Sequence, residues 1–378
     1  MRVAIGAVVR TLGGPATYAR ELVRELLRRR TPGIEYVVLT DGPEAFRDDP
    51  VETVAVPLPT PYAQVWWDHV AIPAALRRAR ADLYHGTKNT LPFRLPCPAV
   101  VTVHDLAVYP HPESFAVLQR WHLRSHVPYA LRAACAVITV SEHAADDLRR
   151  EFPGSAAKVR AVPNGVSARL QPPTDPQSLA AFRARHRLGD GPIVAYLGTL
   201  QPRKNVELLA AAFVRAALPG AVLVLAGRIR PGYHPTLPTD RVHVIGPLAP
   251  AELPIFYGVA SVLVSPSLYE GFGLTLLEAM ACGCPVIALR RSAVPEVVGD
   301  AGILLDAPDE AALAAAITRV VEDRACAADL RTRGLARAAT FSWARTAEAT
   351  EAVYREVGLE VGRESAAGSS PRRRDASV

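Results

Sequence analysis

Two glutamates, Glu270 and Glu278, flank the turn Gly271-Phe272-Gly273 and the start of an apolar run at Leu274. A carboxylate accepts hydrogen bonds from vicinal hydroxyls. A glycine turn set just before a helix places free backbone N–H groups, and the positive end of the helix dipole, where an anion is favoured. The guest that suits this arrangement has two polyol ends with phosphate between them, which describes a nucleotide sugar. Taken alone, the same residues fit equally well a loop charge at Glu270 and a solvated helix position at Glu278, because one glycine turn before a helix is a weak signal.

The surrounding pattern shows what would hold these residues in place. Val262–Val264 has the apolar, β-branched character of a buried parallel strand, closed off by Pro266 and the glycine turn. Leu274–Ala281 is helix-forming, and Gly283 followed by Pro285 stops it. Similar strand-to-helix junctions recur. Arg2–Val9 leads through Gly13-Gly14-Pro15 to an amphipathic helix at Thr17–Arg30, with Tyr18, Leu22, Val23, Leu26 and Leu27 on one face. Ala99–Val103 ends in His104-Asp105-Leu106, and Ile193–Leu197 leads to Arg203-Lys204-Asn205. Residues at the carboxyl ends of parallel strands face the ligand crevice of open α/β sheets. By that rule His104 and the two cations look into a cleft. Residue types alone leave open a loop-folding histidine, surface bases and a plain Gly-Gly turn; the G-x-G-x-x-G dinucleotide fingerprint is absent.

Further strands are predicted at Tyr36–Leu39, Val51–Val56, Ala136–Val140, Val222–Ala226 and Val242–Ile245. Helices are predicted near Trp66–Ala79, at Glu142–Glu151 with Ser141 as N-cap, at Val206–Ala217 and at Asp309–Asp323. The polar, proline-rich Gln171–Gln177 reads as a linker.

The run E-G-F-G-L-T-L-L-E from Glu270 to Glu278, followed by A-x-A-x-G-x-P-V-I-A, resembles the signature of family-four glycosyltransferases of the GT-B fold. The resemblance extends from Met1 to about Tyr354. It implies an α/β fold of two facing Rossmann-like parallel-sheet domains. Residues 1–170 form the acceptor side and 171–340 the donor side, a helix at 341–358 crosses back to the first domain, and 359–378 is a disordered tail. It also implies a nucleotide-diphosphate sugar as donor, transfer with retention, no essential metal and no cofactor beyond the substrate. Residue by residue, it places Gly13 and Gly14 over the donor diphosphate and His104, in V-H-D-L, against the donor sugar. Glu270 falls on the sugar hydroxyls and Glu278 on the ribose, with Gly271, Phe272, Gly273, Leu274 and Thr275 completing the donor-binding stretch. Lys204 matches the family's diphosphate-binding lysine in G-R-x-x-P-x-K. Thr199 stands where that pattern has arginine, so Arg203 is expected to supply the second charge. The V-H-D-L subset implies GDP-mannose as donor and a lipid-linked or polysaccharide acceptor.

At 378 residues, 49% hydrophobic and 21% charged, the chain has the make-up of a globular protein with room for two cores. The net charge of +6 gathers partly at Arg28-Arg29-Arg30, Arg77-Arg78 and Arg372-Arg373-Arg374. Such clusters are solvated faces or contacts to an anionic substrate or membrane surface. No aromatic-and-basic motif points to nucleic acid. Met1–Val9 is too short for a signal-peptide core, and no apolar stretch is long enough to span a bilayer. Five scattered cysteines fit a reducing cytosol, with Cys282 and Cys284 as small buried side chains. The expected location is cytoplasmic, with peripheral contact at the inner membrane face. Rival readings on the same architecture are a nucleotide-sugar epimerase or hydrolase and a non-catalytic partner protein.

Overall fold

Short apolar strands alternating with amphipathic helices bury both faces of every strand only in a parallel sheet covered on both sides. The computed structural model describes residues 1–10, 13–58, 66–238 and 240–368, and it holds two such sheets. The tail arginines at 372–374 lie outside the described residues.

In the first half, β1 (Arg2–Ala7), α1 (Gly14–Arg29), β2 (Glu35–Thr40) and β3 (Glu52–Ala55) lead to α2 (Ile72–Ala79) and β4 (Leu83–Gly86). Then follow β5 (Ala99–Val103), α3 (Val117–Ala133), β6 (Ala136–Thr139), α4 (Glu142–Glu151) and β7 (Val159–Ala161). The sheet order is β3-β2-β1-β4-β5-β6-β7.

The second half opens with α5 (Pro176–His186), β8 (Ile193–Leu197), α6 (Val206–Ala216), β9 (Val222–Ala226) and β10 (Val242–Gly246). It continues through α7 (Leu253–Val259), β11 (Val262–Ser265), α8 (Leu274–Ala281), β12 (Val286–Leu289), α9 (Val294–Val298) and β13 (Ile303–Leu305). Helices α10 (Glu310–Glu322), α11 (Arg324–Ala338) and α12 (Trp343–Gly368) close the chain. Its sheet runs β10-β9-β8-β11-β12-β13, and all pairings in both sheets are parallel.

Helix α12 returns to the first domain and is fastened there by buried polar contacts. The carboxylate of Glu351 accepts from Tyr36 Oη at 2.9 Å, Thr31 Oγ1 at 2.7 Å and Arg29 Nε at 3.0 Å. Tyr354 Oη meets His85 Nδ1 at 2.6 Å. A buried carboxylate is tolerated because these donors satisfy it. One apolar cluster contains Tyr18 and Leu22 of α1, Trp343 and Tyr354 of α12 and Leu276 of α8, so the two domains share part of their core.

Two expectations are corrected. The segment from 359 is not a disordered tail as far as residue 368, where it continues α12. The stretch Gln171–Gln177 passes into α5 at Pro176, capped by Asp175, whose side chain accepts from Gln177 N and Ser178 N. Cys282 and Cys284 are buried, as expected of small core side chains.

The first sheet changes direction of growth between β1 and β4, the second between β8 and β11. Ligand crevices open outside the carboxyl ends of strands at such switch points. Gly13-Gly14 follows β1, Thr87 follows β4, Arg203-Lys204 follows β8 and Glu270 follows β11.

Candidate active site

Arg203 and Lys204 occupy a single 3-10 turn, Pro202–Lys204, beyond β8. Lys204 Nζ is ion-paired with Glu270 Oε1, and Arg203 Nη1 stands 3.8 Å from Glu270 Oε2. Arg203 is held firmly: Nη1 donates to the Tyr269 carbonyl and its backbone N–H donates to Ser114 Oγ at 3.1 Å. Its Nε is buried and has no partner among the described residues, a donor left for a ligand oxygen. Burial would raise the pKa of Glu270, but the charges of Lys204 and Arg203 outweigh it and hold the carboxyl below its ordinary value. Burial lowers the pKa of Lys204, with Glu270 opposing and Arg203 assisting. Asp105, which approaches Gly271 from the other domain, is a second carboxylate that helps Lys204 keep its charge. Thr199 is exposed, and the Arg203 guanidinium lies beside Lys204 at the Glu270 carboxylate.

The helix ends come next. Gly273 caps α8 at φ 103° and Gly13 caps α1 at φ 128°; neither helix start carries a side-chain cap or an acidic residue in its first turn. The two starts face each other across the cleft, for a Cβ on Gly14 would lie 3.6 Å from Leu274 Cδ1. Two uncapped N-termini converging in this way form an anion site from backbone alone. Gly271 is fixed by close approach: a Cβ there would sit 2.2 Å from the His104 carbonyl oxygen in the other domain. Thr275 is half-buried in the first turn of α8. The Phe272 ring is buried against Phe341, with centroids 5.9 Å apart, which leaves its backbone rather than its side chain to face a ligand.

His104 closes the opposite wall. Its Nε2–H donates to the Thr87 carbonyl at 2.8 Å, so Nδ1 is the acceptor of the neutral ring. Burial lowers its pKa, and the Thr87 hydrogen bond only partly offsets this. A ring that is neutral at neutral pH offers Nδ1 as a hydrogen-bond acceptor and supplies no charge. The His104 N–H donates to Asn89 Oδ1 at 2.9 Å, and Tyr18 packs edge-on at 5.0 Å.

Glu278 lines a cavity of about 270 Å³ between the domains, shared with Arg20, Leu253, Leu274 and Trp343. Its Oε2 accepts from Tyr257 Oη at 2.8 Å, and burial pushes its pKa up to about 7. The structure therefore brings Arg203, Lys204, Glu270, Gly271 and His104 into one corner, with Glu278 in the cavity that continues from α8.

The contacts that cross between the domains in the cleft had no legible signature. Tyr269 Oη donates to Asp147 Oδ2 at 2.6 Å and Ser141 Oγ donates to the Gly271 carbonyl at 2.7 Å, both between domains. Lys88, half-buried in the loop after β4, has its pKa lowered by burial, while Asp68 and Asp41 pull it back up. Position after a parallel strand was the available signal for Lys88.

The family described as Glycosyltransferase Family 4 matches residues 12–170, and that described as Glycosyl transferases group 1 matches 180–337. O-antigen chain mannosyltransferase B of Escherichia coli is 30% identical over 328 residues, which span 82% of this chain and 81% of that protein. The chain belongs to the group 1, family-four glycosyltransferases. The glycosyltransferase also matches sucrose-phosphate synthase from Thermosynechococcus elongatus, with a TM-score of 0.74 and 25% identity over 95% of this chain and 99% of that one. A second match is Anabaena HepE, solved in complex with UDP-glucose, with a TM-score of 0.75 and 20% identity over 95% and 100% of the two chains. The enzyme has the GT-B fold that the sequence implied.

Proposed function

We propose that this enzyme moves a hexose, with retention, from a nucleoside-diphosphate sugar to an acceptor hydroxyl. The convergence of Arg203 and Lys204 on Glu270, beside the uncapped starts of α1 and α8, carries the reading. Breaking the glycosidic bond to a diphosphate moves negative charge onto the leaving oxygens, and fixed positive charge there favours the transition state. Lys204, the free Nε of Arg203 and the N–H groups at Gly14, Leu274 and Thr275 would supply it, in the role a divalent metal plays elsewhere. Glu270 would hold sugar hydroxyls, Glu278 the ribose and His104 the sugar from the opposite wall.

A carboxylate engaged by two cations is a poor nucleophile, which favours attack by the acceptor on the leaving-group face over a glycosyl-enzyme. GDP-mannose is the preferred donor on the strength of the mannosyltransferase relative, and a lipid-linked or polysaccharide hydroxyl the preferred acceptor. Thermal unfolding with GDP-mannose, UDP-glucose and ADP-glucose tests the donor, because a ligand of the native state raises Tm by mass action. Stabilisation by none of the three would overturn the donor assignment, and donor turnover that no acceptor accelerates would indicate a hydrolase.

A further inference from the structure

Among the described residues of the first domain, Trp66, Val70, Phe93, Val117, Leu118 and Trp121 are large apolar side chains left in the open. Leu118 is 68% exposed and Trp121 75%. The last three share the opening turns of α3, whose buried residues Val127, Ala130 and Leu131 all fall in its second half. Trp66 and Val70 are one turn apart where a wide helical turn, Trp67–Ala71, leads into α2. Aromatic contacts join the two segments. His69, next to Val70, stacks on Phe93 with centroids 3.9 Å apart and lies 5.0 Å from His126 of α3, which lies 4.1 Å from His122. An exposed patch of this kind marks an interaction surface.

The charge on helix α3 itself has one sign. Helix α3 contains Arg120, Arg124 and Arg132 and no acidic residue, and the chain has none between Phe115 and Ser141. Arg94 stands exposed beside Phe93. Burial keeps His69 and His122 neutral, with pKa values lowered to about 4, so the arginines carry the charge.

The face also borders the cleft. Asp68, between Trp66 and Val70, is buried and accepts from Thr90 Oγ1 at 2.9 Å. Thr90 belongs to the loop after β4 whose Thr87 carbonyl holds His104.

We propose that this face docks on an anionic lipid bilayer, with Trp66, Leu118 and Trp121 at the headgroup boundary and Arg94, Arg120 and Arg124 against the lipid phosphates. Tryptophan with arginine on a protruding helix suits that boundary, where apolar rings and cations are both satisfied. A second copy of the chain suits it less, because a two-fold contact sets the same patch against itself and opposes arginine to arginine. The surface requires no turnover and so stands or falls apart from the proposed reaction.

The test is co-sedimentation of the full chain with phosphatidylglycerol–phosphatidylcholine vesicles and with phosphatidylcholine alone. Binding should need the anionic lipid, weaken with salt, and fall by roughly tenfold or more in Leu118→Ser/Trp121→Ser and in Arg120→Glu/Arg124→Glu. The substituted side chains are exposed or half-buried, so Tm should hold, and removal of residues 369–378 should leave binding in place. The proposal is overturned if the wild type ignores anionic vesicles, if both variants bind as it does, or if deleting 369–378 alone abolishes binding. A concentration-dependent dimer dissolved by Leu118→Ser/Trp121→Ser, without vesicle binding, would assign the face to self-association instead.

Discussion

Tyr269 and Asp147 join the two domains through a buried hydrogen bond of 2.6 Å, with Tyr269 on the loop that carries Glu270 and Asp147 on α4. The Tyr269 carbonyl at the same time accepts from Arg203, so closure of the cleft and placement of the cation pass through one residue. Tyr269→Phe keeps the ring and removes the bond, at a cost of about 1–3 kcal/mol where a buried partner is left unsatisfied. Small-angle scattering should show a more open particle, donor KM should rise, and Tm should fall by a few degrees. An unchanged scattering profile together with unchanged KM would show that closure does not depend on this bond.

Glu278 should make both stability and donor binding depend on pH. Its pKa is raised from 4.5 to about 7 in the folded chain, so between those values the native state holds a proton that the unfolded state has lost. Stability from this group is therefore present below about 4.5 and declines as pH rises through about 7, by on the order of 3 kcal/mol in full. Glu278→Gln should gain Tm relative to wild type as pH increases. If ribose hydroxyls donate to this carboxylate, wild-type affinity for nucleotide should strengthen above neutrality and the variant should lose that dependence. Calorimetric titration on both sides of neutral pH decides, and parallel pH profiles for the two proteins would remove Glu278 from the ribose site.

How far the sequence could be read depends on how local the determinants are. The strands Ala99–Val103, Ile193–Leu197 and Val222–Ala226 and the helices Glu142–Glu151 and Leu274–Ala281 are legible to the residue. In them apolar runs, Ser141 as a cap and glycine stops act within a few positions. Helix α3 is not legible, because Val117, Leu118 and Trp121 are apolar but exposed and Pro128 interrupts it, so no buried stripe repeats. Asp175-Pro176 lies in a polar, proline-rich stretch that reads as a linker, although an aspartate followed by proline also starts a helix. Beyond Gly358 the polarity of the chain suggested disorder, yet Glu360, Arg363 and Glu364 are good helix formers that extend α12. In the site, His104, Lys204 and Glu270 could be placed because each follows a strand. The Tyr269–Asp147 and Ser141–Gly271 pairs could not, since they exist only once the domains meet.

Transfer should proceed in EDTA. Lys204, Arg203 and two helix N-termini already surround the position proposed for the diphosphate, so a divalent ion has no vacant role there. Initial rates with chelator and with added magnesium or manganese should agree. Turnover that stops in EDTA and returns with either ion would require a different account of the leaving group.

The sharpest test lies in the two neighbouring cations. Charge on the diphosphate grows as the glycosidic bond breaks, so a cation beside it interacts more strongly in the transition state than in the bound donor. Lys204→Ala should therefore lower kcat more than it raises donor KM, by roughly 10²–10³, the usual effect of removing one preorganised electrostatic contact. It also leaves the half-buried Glu270 beside Arg203 alone, so Lys204→Met, which fills the space without charge, separates loss of charge from collapse of the corner. Arg203 replaces the family arginine absent at Thr199 only if its guanidinium reaches the same oxygens. Its Nε lacks a partner among the described residues and its Nη1 stands 3.8 Å from Glu270, beside Lys204, so on this reading Arg203→Ala should approach the Lys204→Ala defect. Because Arg203 also supports the Tyr269 carbonyl and Ser114, that loss alone would not prove a charge role. Restoring charge elsewhere would: Thr199→Arg placed in the Arg203→Ala background should recover part of kcat. If Arg203→Ala turns over like wild type while Lys204→Ala fails, the leaving group is managed by one side-chain cation and the backbone of α1 and α8.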